Sequence, residues 1–272
     1  MIGEDKANTM SSAAALRIQI EDALASRFPA ALTPSVRTIR EVAATGIPAV
    51  DTLLDGGLPV GAISELVGPE CSGRTSLALA FVAKRTAEGR VCAWIDAGDA
   101  FDPESAAASG VRLRQLLWVR CGSANQRGKD WAQLDQALRG TDLLLQAGGF
   151  AAIVLDLGGM DPAHGMRIPL TSWFRFRQAA DRARCSLVVL GRASFAQSSA
   201  ALVVDCSAAR VQSWGGTVLA ACNFEYSRRR QRFTPQIEGL RKPPASASAA
   251  LAAWSAQAAW AAEAASSTVR SA

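Results

Sequence analysis

Residues 67–79, VGPECSGRTSLAL, decide the fold. An apolar strand runs into Gly68. A tight loop follows through Pro69, Glu70, Cys71, Ser72, Gly73 and Arg74, and a helix opens at Thr75 and Ser76. The spacing is that of a phosphate-binding loop, G-x-x-x-x-G-K-[ST], with Arg74 in the lysine position. Such a loop works because successive backbone N–H groups and the N-terminus of the next helix face a phosphate. Gly68 and Gly73 allow the turn, and Thr75 offers a hydroxyl to Mg²⁺. Arginine keeps the charge of lysine but is longer, planar and bulkier, so it pairs with phosphate or crowds the loop. Residues 68–76 are therefore the expected cofactor site, for ATP with Mg²⁺, and efficient hydrolysis is not expected.

Outward from the loop, strands and helices alternate. Strands are expected at 62–68, 91–97, 116–121, 150–157, 185–191, 201–206 and 217–227. Helices are expected at 45–54, 75–89, 103–110, 130–149 and 172–184. Alternation with continuous apolar strands implies an α/β fold, a mainly parallel sheet covered by helices on both faces. Ligands bind such sheets at the strand carboxyl ends. Asp156 ends the apolar run FAAIVLD and matches the acid that joins Thr75 in a Mg²⁺ shell. The competing reading of Asp156 is a strand-end cap.

Three segments are expected: an N-terminal helix (12–27) with its linker over 1–38, a core over 39–233, and an Ala-rich flexible tail over 234–272. The tail is helix-prone over 251–265, with Trp254 and Trp260 attached. Both terminal helices are candidate docking elements, and self-association is an option. Trp173, Phe176 and Ala180 share a helical face and read as core.

The net charge is +5. From residue 208 onward there are eight Lys/Arg against three acids, so the whole excess lies there. Its densest part is EYSRRRQRF, where Arg228, Arg229, Arg230 and Arg232 are candidates for contact with single-stranded DNA or an acidic partner. The alternative is a solvated strand end. Six cysteines without a C-x-x-C pair and one histidine argue against zinc and for buried thiols in a reducing cytoplasm. No apolar run reaches membrane-spanning length, and no membrane association is expected. The start, MIGEDKANTM, lacks the marks of a signal peptide.

Residues 45–103, with their GGLP turn, GPExSG loop and D-A-x-x-A-x-D-P segment, resemble the ATPase core of the RecA recombinase family. The resemblance continues more weakly to about residue 230. It implies a P-loop NTPase fold. It also locates departures: Gly98 stands where the family has its catalytic glutamate, Ser105 where it stacks adenine on tyrosine, and Gly191 and Arg192 where it senses the γ-phosphate. The loops after Asp156 and after residue 191 are short. Coordinated losses at one site resemble the RecA-like accessory proteins typified by ImuA. That resemblance implies a scaffold in translesion synthesis and the SOS response, with RecA and an ImuB-like translesion polymerase as partners. The alternatives are a slow DNA-dependent ATPase regulating recombination or cell division, and a simple nucleotide-binding regulator.

Overall fold

The computed structural model describes residues 38–122, 130–214, 218–236 and 249–255. The expected helix at 12–27 and Trp260 lie outside the described residues. In chain order the elements begin β1 (Thr38–Ala43), α1 (Pro48–Leu53), β2 (Leu58–Pro59), β3 (Ile63–Val67), α2 (Arg74–Ala87), β4 (Cys92–Asp96) and α3 (Pro103–Ala108). They continue β5 (Leu116–Arg120), α4 (Asp130–Ala147), β6 (Ala152–Asp156), α5 (Pro162–Gly165), α6 (Leu170–Ala183) and β7 (Ser186–Gly191). They end β8 (Ala200–Trp214), β9 (Val218–Gln231), β10 (Phe233–Gln236) and β11 (Ala249–Ser255).

The main sheet runs β11-β9-β8-β3-β7-β6-β4-β5. Pairings from β8 through β5 are parallel; β9 and β11 add antiparallel pairings at the other edge. A small sheet, β10-β1-β2, stands beside it.

Side chains alternate across each strand, so the sheet carries two apolar faces. One face sets Leu66, Trp94, Val154 and Val188 against Leu77, Phe81 and Val82 of α2. The other sets Ile63, Ile95, Ile153 and Leu187 against Leu134 and Ala137 of α4 and Trp173, Phe176 and Ala180 of α6. Each fully buried large side chain contributes about 1.5–3 kcal/mol of transfer free energy. Cys92, Cys121, Cys185 and Cys206 are buried free thiols, and burial pushes Cys92, Cys185 and Cys206 up to about 12. Cys71 is exposed.

Three expectations need correction. β1 opens the core at Thr38 and pairs in parallel with β10 through Thr38↔Phe233 and Ile39↔Thr234. The boundary at 233/234 therefore cuts through β10, and the segment after it is not simply a tail. The helix expected over 251–265 is a strand where it is described. β11 pairs antiparallel with β9, from Ala249↔Ser227 to Ser255↔Ala221. Alanine favours helix, but the open edge of a long hairpin offers a complete ladder of hydrogen bonds, and tertiary pairing overrides local propensity. The basic run lies mainly within β9 rather than beyond a strand end, and Arg229 is the extra residue of a bulge opposite Val203/Val204.

Among the described residues no helix is long and apolar enough to cross a membrane, and no cluster of His, Cys, Asp or Glu could hold a metal ion.

Candidate nucleotide site

Three parallel strands deliver the site from their carboxyl ends. β3 leads into the loop at 68–73, β6 ends on Asp156, and β7 ends on Gly191, which precedes Arg192. The loop is anchored where it starts, since the Gly68 N–H donates to the Gly191 carbonyl at 3.1 Å. A Cβ at Gly68 would stand 2.2 Å from the Cys206 carbonyl oxygen, so only glycine fits. Cys71 and Gly73 both take positive φ, 56° and 85°, which folds the loop back onto the N-terminus of α2. The first N–H groups of a helix have no partner within it.

Two residues of β9 brace the turn from outside. The Phe224 ring lies where a Gly73 side chain would be, 2.4 Å from an ideal Cβ. The buried Tyr226 hydroxyl donates to the Gly73 carbonyl at 3.1 Å. The sequence placed neither residue at the loop, because only the β8–β9 pairing brings them there.

The sequence places residues 68–76 on one turn, and the structure divides them sharply. Pro69, Glu70, Cys71 and Thr75 are exposed, Ser76 is half-buried, and Gly68, Ser72, Gly73 and Arg74 are buried. Arg74 is only 8% exposed. Its Nη1 and Nη2 lie 3.2 and 3.4 Å from the point a Gly158 Cβ would occupy, and Asp156 Oδ1 lies 3.0 Å from that same point. The guanidinium thus packs against the Gly158 turn after β6, near enough for Asp156 to support its charge but without an ion pair to that carboxylate. Arg74 Nη1 and Ser72 Oγ are both buried without a hydrogen-bond partner. Burial pulls the Arg74 guanidinium below its ordinary range; Asp156 opposes this and Arg192 adds to it.

Asp156 accepts the Gly158 N–H at 2.9 Å. Burial pushes its carboxyl up to about 6; Asp96 adds to this, while the Gly158 hydrogen bond and Arg74 pull it down. A raised native-state carboxyl makes the fold favour the protonated form. The stability it allows is fully present below about pH 4 and is lost as pH rises through about 6. Asp156→Asn keeps an acceptor for Gly158 and abolishes the ionisation. The variant is expected to gain up to about 3 kcal/mol over wild type at pH 7.5 and almost nothing at pH 4. Urea denaturation at both pH values checks this, and parallel curves would refute it.

Arg192 ties the three loops together. It pairs with Glu70 of the phosphate loop and donates through Nε to the Gly158 carbonyl at 3.2 Å. Gly191 before it is packed under the Phe195 ring. Gly98, where the resemblance implies a catalytic glutamate, faces Gly159, with 3.7 Å from its ideal Cβ to the Gly159 Cα. The neighbouring acids are already engaged. Asp96 is fully buried and accepts the N–H groups of Ala100 and Phe101, each at 2.9 Å. Asp99 pairs with Arg120 through two 2.8 Å hydrogen bonds. Ser105 donates to Asp102, the cap of α3.

The candidate contact residues, three in β9 and Arg232 just after it, have partners inside the chain. Arg228 pairs with Asp55, Arg229 with Asp205, Arg230 donates to the Gln197 carbonyl, and Arg232 donates to the Ser198 carbonyl. Arg229 and Arg232 are nevertheless exposed.

The donor set fits a polyphosphate: an N-terminal helix turn, a buried guanidinium with an open N–H, and a buried hydroxyl. A dication at Asp156 fits less well, because the Arg74 guanidinium packs against the neighbouring Gly158 and Arg192 donates to the Gly158 carbonyl.

Residues 15–161 match the RecA N-terminal domain family. The protein RecA of Ruegeria pomeroyi is 38% identical over 117 residues, 43% of this chain and 31% of that protein. The RecA of Cutibacterium acnes is 43% identical over 113 residues, 41% of this chain and 30% of that protein. The RecA of Colwellia psychrerythraea is 34% identical over 154 residues, 56% of this chain and 41% of that protein. The chain thus matches about a third to two-fifths of the length of these relatives. Among solved structures, the RadB recombinase superposes with a TM-score of 0.52 at 17% identity, covering 71% of this chain and 91% of that one. That likeness is one of fold.

Proposed function

Because this chain belongs to the RecA N-terminal domain family, we propose that it uses the recombinase fold as a scaffold in DNA-damage tolerance rather than as a motor. In this reading it is an accessory protein of translesion synthesis. It binds RecA and a translesion polymerase partner of the ImuB-like kind, and any ATP it holds is a structural ligand. One observation carries the reading: the carboxylates flanking Gly98 are committed within the chain. Arg74 packs against Gly158, Arg192 closes on Glu70 and Gly158, and Gly98 faces Gly159 with no carboxylate of its own. A general base must lie within hydrogen-bonding reach of the proton it takes. Asp96 and Asp99, the acids flanking Gly98, are committed to Ala100, Phe101 and Arg120.

The test pairs partner capture with a turnover assay. Purified full-length protein is expected to retain RecA and a translesion polymerase equally well as wild type, Thr75→Ala and Asp156→Ala. Phosphate release should stay at background with or without single-stranded DNA. Turnover that single-stranded DNA stimulates and either substitution abolishes would instead establish the slow ATPase. The intact phosphate-loop geometry, with Thr75 exposed at the start of α2, is what favours that second reading.

A further inference from the structure

The position of Arg74 bears on the metal. A phosphate loop of the lysine type sets a hydroxyl and a strand-end carboxylate around a dication that bridges the outer phosphates. Here both terminal nitrogens of Arg74 lie against Gly158, on the turn that Asp156 Oδ1 caps, with no ion pair closed to that carboxylate. Arg74 is more than nine-tenths buried, and its Nη1 is without a hydrogen-bond partner. Asp156 already holds the Gly158 N–H at 2.9 Å, and Arg192 brings a second guanidinium to the Gly158 carbonyl at 3.2 Å. A dication placed between Thr75 and Asp156 would meet two fixed positive charges of its own sign in a partly desolvated pocket, where repulsion is screened far less than in water. A polyphosphate meets the opposite situation. It finds an unused buried N–H, an unused Ser72 hydroxyl and the open end of α2.

We infer that the loop takes a nucleoside polyphosphate without a metal ion, with the Arg74 guanidinium against Gly158 supplying the positive charge. This rests on the reading that the loop binds a nucleotide, and the two can fail separately. The planar guanidinium supplies charge and two directed hydrogen bonds, which lysine as a point charge does not.

Calorimetry on the full-length protein with ATP, in excess EDTA and in excess Mg²⁺, tests it. The two affinities are expected to agree within about threefold, and Arg74→Lys should open a Mg²⁺ dependence of roughly tenfold or more. Tripolyphosphate in EDTA identifies the recognised group: affinity equal to that of ATP assigns the phosphates, and weaker affinity adds the nucleoside, both within the inference. Binding only in Mg²⁺ would overturn the inference and leave the nucleotide reading standing. Binding in neither condition would overturn both. The wild-type protein supplies a second readout should Arg74→Lys not fold. Added to Mn²⁺–ATP, it is expected to release the metal and raise the six-line paramagnetic resonance signal of aqueous Mn²⁺. A signal that falls, with Mn²⁺ retained on the protein, would sink the inference.

Discussion

Glu65→Ala is expected to lower stability by about 3–5 kcal/mol, the largest effect of any single polar substitution near the site. Glu65 lies in the middle of β3, 1% exposed, on a strand otherwise built to be buried. Its carboxylate accepts the Phe195 N–H at 2.6 Å and the Ala196 N–H at 2.8 Å, and it also takes the Ser194 hydroxyl. Phe195 and Ala196 are themselves buried, so truncation strands two N–H groups away from water. Glu65→Gln keeps one acceptor oxygen and is expected to lose about half as much. Urea denaturation checks the pair, and a loss below about 1 kcal/mol for the alanine variant would show that this carboxylate does not hold the loop. The functional consequence follows from position. Residues 194–196 follow Arg192 directly, so freeing them releases the side chain that closes Glu70 and Gly158 together.

Gly73→Val is expected to destabilise by about 3–5 kcal/mol, because two costs fall on one residue. Its φ of 85° is left-handed, which a β-branched side chain resists, and the new Cβ would stand 2.4 Å from the Phe224 ring. The costs are separable. In the Phe224→Ala background the steric part disappears while the backbone part remains, so Gly73→Val should cost clearly less there. Thermal unfolding of the four proteins of that cycle decides it. Strict additivity would mean that Phe224 does not brace the turn. Both variants should also lose ATP affinity in calorimetry, since the turn orients the N–H groups that face phosphate.

The α/β architecture and the phosphate loop were legible because both are local. Strand–helix alternation, glycine spacing and a strand-end acid are read within a few dozen residues, and β3, α2, β6 and Asp156 lie where that pattern puts them. The buried face of α6 was legible for the same reason: Trp173, Phe176 and Ala180 recur at helical spacing. A lone glutamate inside an apolar strand was also visible in principle, since such a charge must find partners, but nothing near Glu65 in sequence names Phe195 and Ala196.

What only the tertiary structure decided is which side chains meet. Arg74 stands 82 residues before Asp156, and Glu70 stands 122 before Arg192. Each pair comes together because β3, β7 and β6 are neighbours in the sheet, an order that no local pattern encodes. Tyr226 reaches the Gly73 carbonyl only through the β8–β9 hairpin. The same hairpin leaves an open edge, and there Ala249–Ser255, helical by composition, becomes a strand. Propensity acts over a few residues and a few tenths of a kilocalorie each, whereas a complete backbone ladder satisfies every group along an edge at once. Sequence therefore settled the fold and where the loop and Asp156 fall within it. Long-range pairing settled that the Arg74 guanidinium lies against Gly158.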